Sequence, residues 1–353
     1  MRHIILELPS LLDAVEIPGT RNPVQGLDLP YLCLILSKAE RLTQSKPVSP
    51  LVVKPISSFE LEGEINAAWS AQYLNLDGAN NDDYCWYRAD PMELQPDRIA
   101  VYLTGNRHLS LSSDEKDELE QGVNTICDAL GARFFVVSAQ EGYIRLDNAQ
   151  GRAHCEVEFI AAIKALGKDQ LETFPRGKDS TFWKQLLTEL QMYLHGSPVN
   201  TQHSKKGIAL INSLYFWGCK KAPLPQIQLD SLFSNSNVIK SCGFKNGLEA
   251  QNLPDSWSMK YVSENSSQFV DMELIWLRKQ GLISAWQQQV IHYEKYWFSP
   301  LIQALKKHQI ERLSLILSSE VIYTLTASDL KKIWRRKKSI SELLTLTQSK
   351  AKK

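Results

Sequence analysis

Residues 186–221 constrain the fold most, because this stretch joins a helical stripe, a polar turn and an apolar strand. Its leucines recur at helical spacing and stop at the glycine and proline of Gly196-Ser197-Pro198. After the basic loop Lys205-Lys206-Gly207, residues 208–217 are apolar enough for a buried strand, which Gly218 allows to bend. Open sheets bind ligands at such strand ends. His195 and Asn200, which flank the predicted turn, are therefore candidate site residues.

The rest of the chain alternates between predicted strands and helices, which indicates an α/β protein. A strand at residues 3–8 is followed by a helix over about 30–42, and GANNDD at residues 78–83 marks a break before a new α+β unit. With 353 residues and 43% hydrophobic residues, we expect two domains, or one domain with a large insertion. The predicted divisions are a core half at 1–77, an insertion at 78–205, a second core half at 206–330 and a basic tail at 331–353.

Composition excludes several classes of protein. The net charge of +1 gives no overall bias towards polyanions, and no stretch approaches the apolar length of a membrane span, so we expect a cytoplasmic protein without a membrane partner. The six cysteines contain no C-x-x-C pair and predict neither a disulfide framework nor a zinc site. The seven histidines show no pairing at metal-ligand spacing.

The order of residues after the first helix resembles the archaeal-type, cofactor-independent phosphoglycerate mutases. Their pattern is similar to His195, Val199, Asn200, Gly207, Asn212, Trp217 and Gly218 here, and a second similarity runs from Tyr87 to Glu93 through Arg88. The chain is more similar to shorter bacterial relatives that are often labelled phosphoglycerate mutase. The resemblance implies an alkaline-phosphatase-like core sheet flanked by helices, with an inserted smaller α+β domain.

That superfamily uses two divalent metals and a Ser or Thr nucleophile, and the corresponding positions are altered here. The first metal-ligand position reads Leu6-Glu7-Leu8, residues 274–285 contain neither histidine nor aspartate, and Ser318-Ser319-Glu320 replaces an Asp-His pair. Ser70 lacks the expected neighbouring aspartate. Since two-metal chemistry requires those ligands, the resemblance predicts a catalytically degenerate protein with no metal, no cofactor and no catalytic residue.

Five residues are candidates for binding a small anion, because guanidinium and amide groups suit carboxylates and phosphates. They are Arg88, Arg145, His195, Asn200 and Asn212. The alternative, which we favour, is a structural role for these residues, since asparagine side chains also tie turns to the backbone.

The chain ends in a cationic segment that either meets a polyanion or forms a solvated face. The candidate nucleic-acid-binding residues are Lys331, Lys332, Trp334, Arg335, Arg336, Lys337 and Lys338. Trp334 either stacks on a base or anchors the segment to the core.

Three functions remain open. The favoured prediction is a degenerate mutase-like protein that binds or regulates an unidentified protein partner. The alternatives are a nucleic-acid-associated protein that uses the basic C-terminus, and a metal-dependent phosphomutase or phosphatase with an unorthodox site.

Overall fold

The computed structural model describes residues 2–12, 22–43, 55–63, 65–147, 156–218, 224–318 and 321–344. The chain forms two compact units: unit 1 contains Met1–Ser58 and Pro225–Lys353, and unit 2 contains Phe59–Leu224. Among the described helices, none is both long and apolar enough to cross a membrane.

The elements are numbered along the chain. The strands are β1 His3–Glu7, β2 Glu40–Thr43, β3 Tyr84–Pro96, β4 Val101–Gly105, β5 Ala132–Ser138, β6 Glu141–Asp147, β7 Ser213–Trp217, β8 Ser231–Ser234, β9 Ala250–Asn252, β10 Ser266–Val270, β11 Arg312–Ile316 and β12 Val321–Thr326. The helices are α1 Pro30–Lys38, α2 Ser57–Glu62, α3 Ala67–Tyr73, α4 Ser113–Cys127, α5 Ala162–Ala165, α6 Gln170–Thr173, α7 Ser180–His195, α8 Pro198–Lys206, α9 Asn237–Lys245, α10 Glu273–Lys279, α11 Ile283–Tyr293, α12 Ser299–Lys306 and α13 Ala327–Leu330.

Unit 1 is built on a seven-stranded sheet in the order β2-β12-β11-β1-β10-β8-β9. Strands β11, β1, β10, β8 and β9 run parallel. At one edge, β12 pairs antiparallel with β11, and β2 pairs antiparallel with β12. Side chains alternate across the sheet, so that Ile4 and Leu6 enter a core shared with α1, α11 and α12. The mixed α/β architecture of a central sheet flanked by helices is therefore as predicted.

Unit 2 is an antiparallel sheet organised by the long strand β3. The strand pairs with β6 along its first part, with β7 along its middle and with β4 at its end, and β5 continues beyond β6. One face, which carries Tyr87 and Phe134, packs against Trp183 of α7 and residues of α4. The other face carries Trp86 and Tyr143, and it packs against α3.

The stretch at 186–221 differs from its prediction in one element. Helix α7 ends at His195 as expected, but the predicted polar turn and basic loop form a second helix, α8. The Ser197 side chain caps this helix, Pro198 occupies its first turn, and Gly207 ends it at a φ of +66°. The proline thus begins a helix instead of only ending one. Gly218 has a φ of +79°, which agrees with the predicted bend after the strand.

The unit boundaries also differ from the predicted divisions at 77/78 and 205/206. Strand β7 lies within the predicted second core half, yet it pairs with β3 in unit 2. An apolar run shows that a strand is buried, but it does not show which sheet the strand joins.

The predicted basic tail is part of unit 1 as far as residue 344. Ile340, Leu343 and Leu344 are buried in the unit 1 core, and residues 345–353 lie outside the described part of the chain.

A π-helical turn at Glu294–Phe298 separates α11 from α12 just before Pro300. This turn directs Glu294 to the start of α1. Its carboxylate accepts hydrogen bonds from the backbone N–H groups of Tyr31, at 2.5 Å, and Leu32, at 3.0 Å. The capping residue of α1 is therefore distant in sequence, since Leu29 has no side-chain acceptor to offer.

We predict that Glu294→Ala lowers the free energy of unfolding by about 1–3 kcal/mol, because it leaves two donors near the core without their acceptor. Glu294→Gln keeps one acceptor oxygen and should lose less. Urea titration of both variants measures the difference, and equal losses would contradict a capping role.

Candidate functional site

The carboxyl ends of the parallel strands in unit 1 are the first place to look for a site, because open α/β sheets bind ligands there. Strand β1 ends at Glu7 and is followed by Leu8, and β11 is followed by Leu317; both leucines are buried in the core. Strand β10 is followed by Asp271, which is fully buried. This edge therefore offers two buried carboxylates, from Glu7 and Asp271.

The Glu7 carboxylate accepts hydrogen bonds from two backbone N–H groups and one side-chain amide of unit 1. Its Oε1 accepts from the backbone N–H of Ile56 at 3.0 Å and from Gln268 Nε2 at 2.5 Å, and its Oε2 accepts from the N–H of Ser57 at 3.0 Å. Burial raises the pKa of Glu7, although these donors oppose the shift. Within the described residues, Gln268 Oε1 is buried without a hydrogen-bond partner, so it can accept from a protonated Glu7 if the amide turns.

Both carboxylate oxygens of Asp271 accept two hydrogen bonds each. Its Oδ1 accepts from Asn235 Nδ2 at 2.6 Å and from the N–H of Glu273 at 2.7 Å. Its Oδ2 accepts from the Tyr293 hydroxyl at 2.6 Å and from Gln289 Nε2 at 3.5 Å. Burial and the neighbouring carboxylate raise the pKa of Tyr293, so its hydroxyl remains protonated and donates. The four donors use the acceptor positions that a metal ion would need.

In unit 2, Arg88 lies at the centre of a buried polar network. Its Nε and Nη2 donate to Asp90 Oδ1 at 2.9 and 2.7 Å, and its Nη1 donates to Glu141 Oε1 at 3.1 Å. Trp217 Nε1 donates to Asp90 Oδ2 at 2.7 Å, and the guanidinium lies 5.4 Å from the Trp217 ring. Burial disfavours the charged guanidinium, but Asp90, Tyr143 and Glu141 raise the pKa of Arg88 well above its usual value. Arg88 therefore stays charged, and its N–H groups donate to residues of the unit 2 sheet.

Arg145 lies on the same sheet face as Arg88, since Tyr143 is directly opposite Arg88 and precedes Arg145 by two residues. Arg145 Nη1 donates to the carbonyl of Asp77 at 2.5 Å and pairs with its carboxylate at 3.1 Å. Its guanidinium also covers the ring of Tyr84 at 4.3 Å. Arg145 therefore holds the turn at Asp77 against β3.

The two candidate asparagines join segments of unit 2. Asn200 is buried, donates to the carbonyls of Leu194 and Ile211 at 2.7 and 2.6 Å, and accepts from the N–H of Ile211 at 3.0 Å. Asn212 exchanges two hydrogen bonds with the backbone of Leu94, at 2.7 and 2.8 Å. His195 is exposed at the last residue of α7. These contacts favour the structural alternative for both asparagines.

Ser70, from the nucleophile position, and His3, at the start of β1, also have structural partners. Ser70 is buried in α3 and hydrogen-bonded to Tyr143. His3 contacts Ser314 Oγ at 2.8 Å, and burial lowers its pKa to about 4. Across the described residues, no three His, Cys, Asp or Glu side chains are grouped in a way that could hold a metal ion.

Sequence reasoning missed the residues that complete these networks. Asp271 and Asn235 each come directly after a parallel strand, so an acid or amide at a strand end is a signal that could have identified them. Asp90 lies within the Tyr87–Glu93 stretch and is two residues from Arg88, which places both on one face of a strand. Glu141 could not have been found in this way, because only sheet pairing brings it to Arg88.

We predict that Asp90→Leu lowers the free energy of unfolding by about 3–5 kcal/mol, because it leaves the Arg88 charge buried without its main partner. The double variant Arg88→Met with Asp90→Leu should lose much less, because both charges are then removed. Urea titration followed by tryptophan fluorescence measures both.

The control is Arg133→Met, whose guanidinium is about half exposed and 4.0 Å from an exposed Asp128 carboxylate. Its effect should stay within about 0.5 kcal/mol. Losses that simply add in the double variant would show that Arg88 and Asp90 do not stabilise each other.

The raised pKa of Glu7 gives a second prediction. A carboxyl group whose pKa is raised on folding binds more protons in the folded state, so its contribution to stability falls as pH rises. The free energy of unfolding of the wild type relative to Glu7→Gln should therefore decrease between about pH 4 and 8. Urea titrations across this range measure it, and a constant difference would mean that Glu7 does not titrate there.

Comparisons with known proteins include one similar sequence and, among the solved structures, the two weakly similar ones described below. No protein-family model matches the chain. The chain is 22% identical over 268 residues to a 2,3-bisphosphoglycerate-independent phosphoglycerate mutase from Methanosarcina acetivorans, a match that covers 72% of this chain and 66% of that protein.

The first of the two structures is a cofactor-independent phosphoglycerate mutase from Thermoplasma acidophilum, with a TM-score of 0.40, 13% identity and coverage of 97% of this chain and 95% of that one. The second is the PH0037 protein from Pyrococcus horikoshii, with a TM-score of 0.42, 11% identity and coverage of 92% and 86%. Similarity at these TM-scores is weak, and the α/β architecture rests on the strands and helices described above. In sequence, the chain is similar to a cofactor-independent phosphoglycerate mutase.

Proposed function

We propose that this chain is a non-catalytic, phosphoglycerate mutase-like protein that acts by binding or regulating a protein partner. The observation that carries the proposal is the set of contacts at the carboxyl edge of the unit 1 sheet. Asp271 accepts four hydrogen bonds from its own unit, and Glu7 accepts three. Two of the other strand-end positions carry the buried leucines Leu8 and Leu317.

Two-metal phosphoryl chemistry needs carboxylate and imidazole ligands on both ions, which then bind the attacking and leaving oxygens. A carboxylate that already binds backbone N–H groups must release them before it can bind a metal, and those buried donors would lose their acceptors. The last residues of β1, β8, β10 and β11 and the positions directly after them, all within the described chain, contribute the two carboxylates and no histidine. These contacts support a structural role for both acids.

The same reasoning applies to small anions in unit 2. Binding a phosphate at Arg88 would require its guanidinium to leave Asp90 and Glu141 within a buried site, and those two carboxylates would repel the anion. Asn200 and Asn212 direct both their amide groups and their carbonyl groups at the backbone. A protein partner therefore remains our proposed ligand in place of a small phosphate compound.

We predict that the purified chain, after exposure to manganese and zinc and removal of excess ions, retains metal only at background level. We also predict that it does not interconvert 2- and 3-phosphoglycerate. Elemental analysis and a coupled mutase assay measure these two properties on the same sample.

Asp271→Asn and Glu7→Gln serve as matched variants, because each removes one of the two strand-end carboxylates. Both should behave as the wild type in metal content. Stoichiometric metal and mutase turnover, each lost in Asp271→Asn, would overturn the proposal and establish a metal-dependent phosphomutase with an unorthodox site.

A further inference from the structure

The segment Lys331–Lys338, here called the basic tip, exposes two adjacent apolar side chains among cations. Ile333 is 85% exposed and Trp334 is 74% exposed, and both are among the most exposed large apolar side chains of the described chain. Lys331 precedes the pair, and Arg336, Lys337 and Lys338 follow it, all of them exposed. An exposed isoleucine and tryptophan side by side usually mark an interaction surface, because water solvates them poorly.

Contacts within unit 1 fix the basic tip at both ends. The Asp329 carboxylate binds Lys332 at 2.6 Å and lies 3.6 Å from Arg335. Arg335 Nη1 also donates to the carbonyl of Lys38 at 2.6 Å, and Lys38 Nζ donates to the carbonyl of Lys332 at 2.6 Å. Beyond the tip, the buried Ile340 anchors the chain in the core. Trp334 is therefore presented outward on an anchored turn, in contrast to the alternative that it anchors the segment.

These contacts sort the cations of the tip into two groups. Lys332 and Arg335 are turned inward to Asp329 and the α1 end, where they support the turn. Lys331, Arg336, Lys337 and Lys338 are exposed and flank the apolar pair in sequence. The basic tip therefore exposes two apolar side chains together with four cationic ones.

We propose that the basic tip binds the surface of a membrane that contains anionic phospholipids. Tryptophan is favoured at the membrane interface, Ile333 gains by leaving water for the acyl boundary, and the surrounding cations are attracted to lipid phosphates. This peripheral contact of a short turn is independent of the function proposed above. It departs from the expectation of no membrane partner, which rested on the lack of a membrane-spanning stretch.

Ile333 favours a membrane over the nucleic acid predicted from the sequence. A single strand binds through phosphates and through stacking of bases on an aromatic ring, which uses Trp334 and the cations. An aliphatic side chain has no face on which a base stacks, so Ile333 would stay exposed in such a complex. A bilayer interface takes up both apolar side chains.

The test is flotation of the full chain with vesicles of phosphatidylcholine alone or mixed with phosphatidylglycerol. Wild type should float with the anionic vesicles and not with the neutral ones, and added salt should weaken binding. Ile333→Ser and Trp334→Ser should each weaken binding roughly tenfold. The triple variant Arg336→Gln, Lys337→Gln and Lys338→Gln should weaken it roughly a hundredfold.

The matched control is Leu171→Ser in unit 2, which removes a 70% exposed side chain flanked by Gln170 and Glu172. It should float as the wild type does. Circular dichroism and urea titration confirm that each variant is folded before its binding is compared.

The second arm measures binding to a labelled single-stranded oligonucleotide at the same salt concentrations. Tight oligonucleotide binding that depends on Trp334 and not on Ile333, without flotation, would replace the membrane proposal by the nucleic-acid one. Equal flotation of wild type and Ile333→Ser, or flotation with neutral vesicles, would also overturn the proposal.

Discussion

Within each unit, buried carboxylates bind donors from other segments of that unit and so stabilise its fold. Glu7 joins β1 to residues 56 and 57, Asp271 joins the end of β8 to α11, and Glu294 joins the π-helical turn to the start of α1. In unit 2, Asp90 joins Arg88 to Trp217. Each carboxylate would be costly to bury alone, so the fold must bring these segments together to satisfy it.

Much of the architecture was predictable from the sequence, because the determining patterns are local. The apolar run of β1 and the leucines at helical spacing along α7 were each read correctly as element signals. Helix α8 was missed because Ser197-Pro198 is compatible with a turn as well as with a helix start. Strand β7 was found but assigned to the wrong half of the protein, since its pairing with β3 joins residues more than a hundred positions apart.

The candidate site was less predictable, for a related reason. A sequence shows which side chains carry charge or amide groups, but it does not show which groups neutralise them. Arg88 and Asn200 were recognised as polar residues in a motif, while their structural partners Glu141 and Ile211 were not. The decisive distinction between a ligand-binding arginine and a structural one lies in those partners. That distinction depends on pairing across the sheet, which no local pattern records.

The residues shared with the mutase pattern can be understood in the same physical terms. Asn200, Trp217 and Gly218 hold together the part of unit 2 where α7, α8 and β7 meet β3. Residues with such roles are needed for the scaffold whether or not a reaction takes place on it. Glu7 and Asp271 have the surroundings expected of acids that serve folding, because every donor that meets them stabilises a strand end, a helix start or a packed side chain.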